Sequence, residues 1–235
     1  YNDNGAISLG FFRKDIDNAI FPQLTQGVVA GYNFSELLTF VNTSLFQDYK
    51  VVVNSGNGAA GPTFDYLENK LSNFSCPLRF EHMFSQPDGN FPNGIPNPMN
   101  SKSQMPTRMK VLELGADLGV AFDGDFDRCF LFDHHGAFIP GEYVVGLLAE
   151  VFLRKEHGAT IVHDPRVVWN TLDVIKKCGG QAVQSKTGHA FVKAGMRGVG
   201  AVYGGEMSAH HYFKDFFYCD SGMIPWLMIW ELISK

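Results

Sequence analysis

Short apolar runs, too brief and too β-branched for helices, recur along this chain, each separated from the next by a segment long enough to be a helix. Lys50-Val51-Val52-Val53-Asn54 is the clearest. Consecutive valines fit an extended pleat and crowd a helical turn. Leu78–Glu81, Leu118–Asp123, Cys129–Phe132, Ala159–His163, Ala182–Gln184 and Gly200–Tyr203 read the same way. Helical spacing fills the intervals at Pro62–Leu71, through Val111 and Leu114, and at Tyr143–Lys155, Val168–Lys177 and Phe191–Met196, with a long apolar helix over Ser221–Ser234. Another helix is expected from Asn33 through Phe34, Leu37, Leu38, Val41 and Leu45, capped by Asn33 or Ser35. Such alternation folds as α/β. It restarts near residues 137–141, so the expectation is two similar three-layer α/β units with mainly parallel mixed sheets, 33–138 and 139–235. Residues 1–32 read as a linker or the tail of an upstream domain, and Ser85–Pro106, rich in Pro, Asn and Gly, as an irregular loop.

Composition narrows the function. With 235 residues, 45% hydrophobic and 14% aromatic, the chain has apolar mass for two cores and excludes disorder. A net charge of −5 argues against nucleic acid as a partner. The apolar stretch Met223–Ile233 falls short of the roughly 20 residues that span a bilayer, so no membrane partner is expected. Cys76, Cys129, Cys178 and Cys219 are scattered, without Cys-x-x-Cys, as reduced thiols would be. With the polar, acidic N-terminus, that points to a cytoplasmic protein. Oligomeric state is not encoded in any of these features.

Gly56-Asn57-Gly58-Ala59-Ala60-Gly61 matches the dinucleotide fingerprint Gly-x-Gly-x-x-Gly. It follows a strand and precedes a helix, with Glu81 twenty residues beyond the last glycine. Two readings stand on this segment: a pyrophosphate cradle for NAD, or a tight turn whose glycines permit close packing.

Asp123-Gly124-Asp125-Phe126-Asp127-Arg128 places three carboxylates on one turn leaving a buried strand. Like charges this close raise one another's pKa unless a cation neutralises them, and a hard dication (Mg²⁺, Ca²⁺ or Mn²⁺) is the simplest remedy. An EF-hand is rejected, because Arg128 and His134 stand where that loop needs Gly and Glu. Arg128 suits a phosphate.

Three further polar loops follow strands: Asp164-Pro165-Arg166, Lys186-Thr187-Gly188-His189, and Gly205-Glu206-Met207-Ser208-Ala209-His210-His211. Ligands of parallel α/β sheets collect at such strand ends. Glu206 and Ser208, two apart, can face one way and bond vicinal sugar hydroxyls. His210 or His211 can move protons near neutrality, and Lys186 offers donors to phosphate. His134 and His135 read as an exposed turn.

Together these motifs, with Pro87-Asp88-Gly89-Asn90-Phe91-Pro92, Asn54–Gly58 and Cys219–Trp226, resemble the α-D-phosphohexomutase family, in particular its bacterial branch that feeds GDP-mannose synthesis. The similarity runs from about residue 33 to the C-terminus. It implies four domains, of which this chain has the second and third. By the resemblance, Asp123, Asp125 and Asp127 hold Mg²⁺, which also contacts a phosphoserine, and Arg128 lies close to that phosphate. Glu206 and Ser208 bind sugar hydroxyls, His210 and His189 are active-site histidines, and Arg166 lines the cleft. The glycine loop becomes structural. The implied reaction interconverts mannose 6-phosphate and mannose 1-phosphate, with a hexose 1,6-bisphosphate as intermediate and activator.

Departures matter too. No Ser-His-Asn-Pro supplies the phosphoserine and no Arg-x-Ser-Gly-Thr supplies a distal phosphate loop. Phe126 and Ala209 stand where many relatives carry Gly. The expectation is a chain incomplete for turnover on its own. The alternatives are a non-catalytic Mg²⁺ and sugar-phosphate binding module, or an NAD-binding oxidoreductase.

Overall fold

A computed structural model describes residues 28–29, 32–33, 40–45, 47–72 and 79–234. Most of the linker expected at 1–32, most of the helix expected after Asn33, and Cys76 and Leu78 lie outside these residues. Asn33 itself sits in β2 (Tyr32–Asn33), antiparallel to β1 (Val28–Val29).

The first sheet gathers β3 (Lys50–Asn54), β4 (Arg79–Met83), β5 (Leu118–Phe122), β6 (Cys129–Phe132) and β7 (Phe138–Ile139) in the order β4-β3-β5-β6-β7. The second gathers β8 (Thr160–His163), β9 (Gln181–Gln184), β10 (Tyr203–Gly205), β11 (His211–Phe213) and β12 (Cys219–Asp220) in the order β12-β11-β10-β8-β9. The two plans are one plan repeated. In each, the first three strands are mutually parallel and the fourth and fifth are added antiparallel, so four of five strands run one way.

Period-two alternation builds the layers. Val51, Val53, Val120, Phe122 and Leu131 enter the main core with α1 (Ala60–Ser72), whereas Val52 packs with Val111 of α2 (Ser101–Leu114) on the other face. In the second sheet Ile161, Tyr203 and Phe213 share the main core with α3 (Gly141–Lys155) and α4 (Trp169–Lys177). Val162 and Tyr212 meet Val192 and Met196 of α5 (His189–Val199).

The last helix, α6 (Met223–Ile233), is apolar on every side and buried from Met223 to Glu231. Trp226 stacks on Phe64 of α1 at 5.0 Å and meets Phe80 of β4 edge-on at 5.9 Å. The same helix packs on α3. The Asn42 N–H donates to the Glu231 carboxylate (3.2 Å) and the Tyr49 hydroxyl to the Ile233 carbonyl (3.0 Å). One helix therefore closes the core of both units. Trp226 and Trp230 are fully buried, each worth roughly 4–6 kcal/mol of apolar burial by area.

Two boundaries differ from expectation by more than two residues. Helix α2 begins at Ser101, inside the segment read as loop, because the Asn100 side chain accepts the Lys102 N–H and starts it; Pro106 is accommodated within the helix. Helix α5 runs on to Val199 before Gly200 (φ 65°) caps it, so the following strand begins at Tyr203 rather than Gly200.

Candidate functional site

The acidic turn joins β5 to β6, and the loop holding Glu206, Ser208 and His210 joins β10 to β11. In the repeated plan these are the same hairpin, and the fold brings them face to face. Arg128 and His210 form an isolated antiparallel bridge, and the Cys129 N–H donates to the Ala209 carbonyl (3.4 Å). The Gly222 N–H donates to the Phe126 carbonyl (3.1 Å), tying the start of α6 to the same place.

On the acidic side, Asp123 is buried, Asp127 partly so and Asp125 exposed. Each offers an oxygen within 4.8 Å of the others. Arg128 Nε donates to Asp123 Oδ2 at 2.7 Å, its backbone N–H donates to Oδ1 at 3.2 Å, and Asp127 Oδ1 lies 3.7 Å from Nε. Burial, then the Asp127 charge, raises the Asp123 carboxyl to about 7 despite Arg128. Burial would raise Asp127 too, but its hydrogen bond and attraction to His210 hold it below the usual carboxylate range. Asp127 Oδ1 is buried without a hydrogen-bond partner. An orphaned carboxylate oxygen between two other carboxylates fits a hard dication.

The facing loop is compensated internally. Glu206 is buried, yet Oε1 accepts the Gly188 N–H (2.8 Å) and Oε2 the Tyr212 hydroxyl (2.6 Å). Ser208 Oγ lies 2.9 Å from His210 Nδ1, and His210 Nε2 lies 3.4 Å from Asp127 Oδ2. Burial opposes the charged imidazolium of His210, but the Asp127 hydrogen bond and the Asp127, Asp220 and Glu206 charges outweigh it and raise its pKa. Strand alternation separates the two adjacent histidines. His211 points into the core against the Tyr203 hydroxyl (2.7 Å), where burial and then the His210 charge push it down to about 3. Of the two, His210 alone faces the acidic turn.

The flanking loops hold the remaining candidates. Gly188 ties the Lys186–His189 loop to Glu206, whereas Lys186 Nζ lies over the Phe191 ring at 5.6 Å and His189 opens α5 exposed. Arg166 Nε donates to the buried Asp164 carboxylate (3.0 Å), whose Oδ2 also takes the Met207 N–H (3.3 Å). Sequence reasoning gave a site role to Arg166, named Asp164 only as part of the same polar loop, and did not single out Tyr212 or Asp220. Lys193 bonds Asp220 at 2.7 Å, beside His210. Only the motif context of the last two, not any spacing, sets them apart.

The glycine loop is settled by its amides. Gly56 N–H bonds the Asn54 side chain, Asn57 the Phe84 carbonyl, Gly58 the Ser55 carbonyl and Ala59 the Gly124 carbonyl. All four donors that a pyrophosphate would need are committed inside the protein. A Cβ on Gly58 would come within 2.5 Å of the Gly124 carbonyl oxygen, and one on Gly61 within 1.7 Å of that of Ser85. The loop buttresses the acidic turn, which removes the basis of the dinucleotide reading. Among the described residues no helix is long and apolar enough to cross a membrane.

Comparison with known proteins agrees with this geometry. The family model for phosphoglucomutase/phosphomannomutase alpha/beta/alpha domain II matches residues 33–136, and that for domain III matches residues 140–235. The phosphomannomutase of Vibrio cholerae serotype O1 is 59% identical over 198 residues, 84% of this chain and 43% of that protein. This chain thus spans less than half the length of the curated relatives it matches. A phosphoglucomutase/phosphomannomutase family protein from Burkholderia thailandensis superposes with a TM-score of 0.78 at 33% identity, covering 86% of this chain and 43% of that one. N-acetylphosphoglucosamine mutase from Aspergillus fumigatus, solved with GlcNAc-6P and magnesium, shares the fold at TM-score 0.62 and 13% identity, over 86% of this chain and 48% of that one. Two facing hairpins on one repeated sheet plan, matched across both units, place the chain in the phosphoglucomutase/phosphomannomutase family.

Proposed function

We propose that this chain is the metal- and sugar-handling part of a phosphohexomutase that interconverts mannose 6-phosphate and mannose 1-phosphate. The observation that carries the reading is the junction of Arg128 with His210, which sets three carboxylates against a sugar-type carboxylate and hydroxyl. The relatives named phosphomannomutase at 57–59% identity supply the choice of mannose. Asp123, Asp125 and Asp127 hold Mg²⁺, which, when bound, neutralises charge on a transferring phosphoryl group. Magnesium in the Aspergillus relative supports that choice of dication.

Arg128 donates to phosphoryl oxygens, anchored through Asp123. His210, poised by Asp127 and touching Ser208, takes or returns the hydroxyl proton of the sugar. Glu206 and Ser208 orient the sugar hydroxyls, and Arg166, Lys186 and His189 bring donors from the flanking loops. The reaction passes through a hexose 1,6-bisphosphate. The phosphoserine and the distal phosphate loop, whose motifs occur nowhere in the 235 residues, are assigned to the further length that the relatives have. Reduced thiols fit a cytoplasmic setting.

The test is phosphate transfer by a full-length protein containing these residues, with Asp123→Asn and His210→Asn introduced separately. Each variant is expected to lose at least about 100-fold in kcat. Retention of either within tenfold in a folded protein would overturn the assignment.

A further inference from the structure

A cavity of about 560 Å³ opens between the starts of α3 and α4, beside the junction rather than within it. Its volume lies in the range of small-molecule sites. Trp169 and Tyr143 line it, and they are 90% and 53% exposed. The other two tryptophans of the chain, Trp226 and Trp230, are completely buried. A large flat ring left in water at a pocket mouth is a surface for stacking.

The polar lining has a consistent sign at one end. Arg166 gives one N–H from Nε and one from Nη2 to Asp164, fewer than the five donors of a guanidinium. Val168, immediately before α4, provides no side-chain capping oxygen, so the first-turn amides of α4 have no intrahelical partner and carry the positive end of the helix dipole. Thr171 also lines the pocket, is fully buried, and has an Oγ1 without a hydrogen-bond partner. At the other end Glu142 brings a carboxylate, and its backbone carbonyl takes the Asn170 side-chain amide (3.4 Å).

We propose that this pocket binds a nucleoside diphosphate. The base stacks on Trp169, with Tyr143 beside it; Arg166, Thr171 and the open amides of α4 hold the phosphates; Glu142 accepts the ribose hydroxyls. A hexose phosphate offers no flat ring for the largest exposed surface here. It would also find one hydroxyl acceptor instead of the Glu206–Ser208 pair. The proposal is independent of the mutase reading, because the pocket shares only Arg166 with the proposed machinery.

Trp169 supplies its own signal, since it is the exposed one of three tryptophans. Titrating the 235-residue chain with GDP or ADP is expected to give saturable quenching of the long-wavelength emission. Inorganic phosphate and mannose 1-phosphate should give none at the same concentration. By calorimetry, Trp169→Leu should weaken nucleotide binding at least about tenfold and Thr171→Val about three- to tenfold, whereas Glu206→Gln should leave it unchanged. Thr171→Val keeps the side-chain volume and breaks no hydrogen bond, so loss of fold does not confuse the result. No saturable binding of either nucleotide, equal binding of inorganic phosphate, or stronger binding of mannose 1-phosphate would each overturn the proposal.

Discussion

The hairpin after β5 and the hairpin after β10 occupy the same place in a repeated plan and solve opposite electrostatic problems. In the first, three carboxylates crowd one turn, Asp123 is pushed up to about 7, and Asp127 Oδ1 has no hydrogen-bond donor. In the second, Glu206 is just as buried, but a backbone amide and a tyrosine hydroxyl satisfy both of its oxygens. Topology fixes where a ligand is met, and the chemistry of each turn fixes what it can meet. One turn crowds negative charge without enough donors to balance it, and the other satisfies its buried carboxylate within the protein.

The sharpest way to break this contrast is to neutralise each side and titrate Mg²⁺ by calorimetry. Replacing both Asp123 and Asp127 by Asn should weaken Mg²⁺ affinity by at least about 100-fold, whereas Glu206→Gln should change it less than about threefold. Comparable losses from both changes would mean that the turns act as one charge cluster.

Next comes stability. Tyr212→Phe removes a donor from a buried carboxylate and should cost about 1–3 kcal/mol in urea unfolding. Asp125→Asn on the exposed edge should stay within about 0.5 kcal/mol. A neutral Tyr212→Phe would show that Glu206 is not held as described.

The third concerns His211, the inward neighbour of His210. Its pKa falls from 6.5 to about 3 on folding, so between these values the unfolded chain binds the extra proton. Stability from this residue is present above about pH 6.5 and lost as pH falls toward 3, by about 5 kcal/mol in all. His211→Gln, which still accepts from Tyr203, should flatten that part of the stability curve. An unchanged slope would place its origin elsewhere.

The smallest effect separates two left-handed positions that flank the junction. Phe126 (φ 51°) and Ala209 (φ 68°) are both left-handed, the conformation glycine adopts without strain. Phe126 also packs on the main core. Phe126→Gly should therefore destabilise by about 1–2 kcal/mol, with Ala209→Gly within about 0.5 kcal/mol of the parent, since relieved strain offsets one lost methyl. Stabilisation by Phe126→Gly would show strain outweighing packing.

These positions also mark what the sequence discloses. Buried strands such as Val51–Val53 announce themselves, because β-branched runs leave no helical alternative. The acidic turn is equally plain, since the repulsion of Asp123, Asp125 and Asp127 is local. Strands β7 and β12 are two residues long and carry no readable period. Asp220 acts through Lys193 on another element, Asp164 also holds the distant Met207 N–H, and the Arg128–His210 bridge joins two units. Nothing in local spacing encodes those pairings. The glycine loop misleads for the same reason, as its fingerprint is local but its amides are spent on Phe84 and Gly124.

The shared helix α6 has a consequence for how the chain is made. During synthesis the first unit emerges complete in sequence by Ile139, yet the ring that covers Phe64 and Phe80 belongs to Trp226. At roughly 5–20 residues per second, that apolar face waits several seconds beyond the ribosome exit for its cover. A nascent chain halted between the two units should therefore present a sticky, chaperone-binding surface, and release of the last helix should extinguish it.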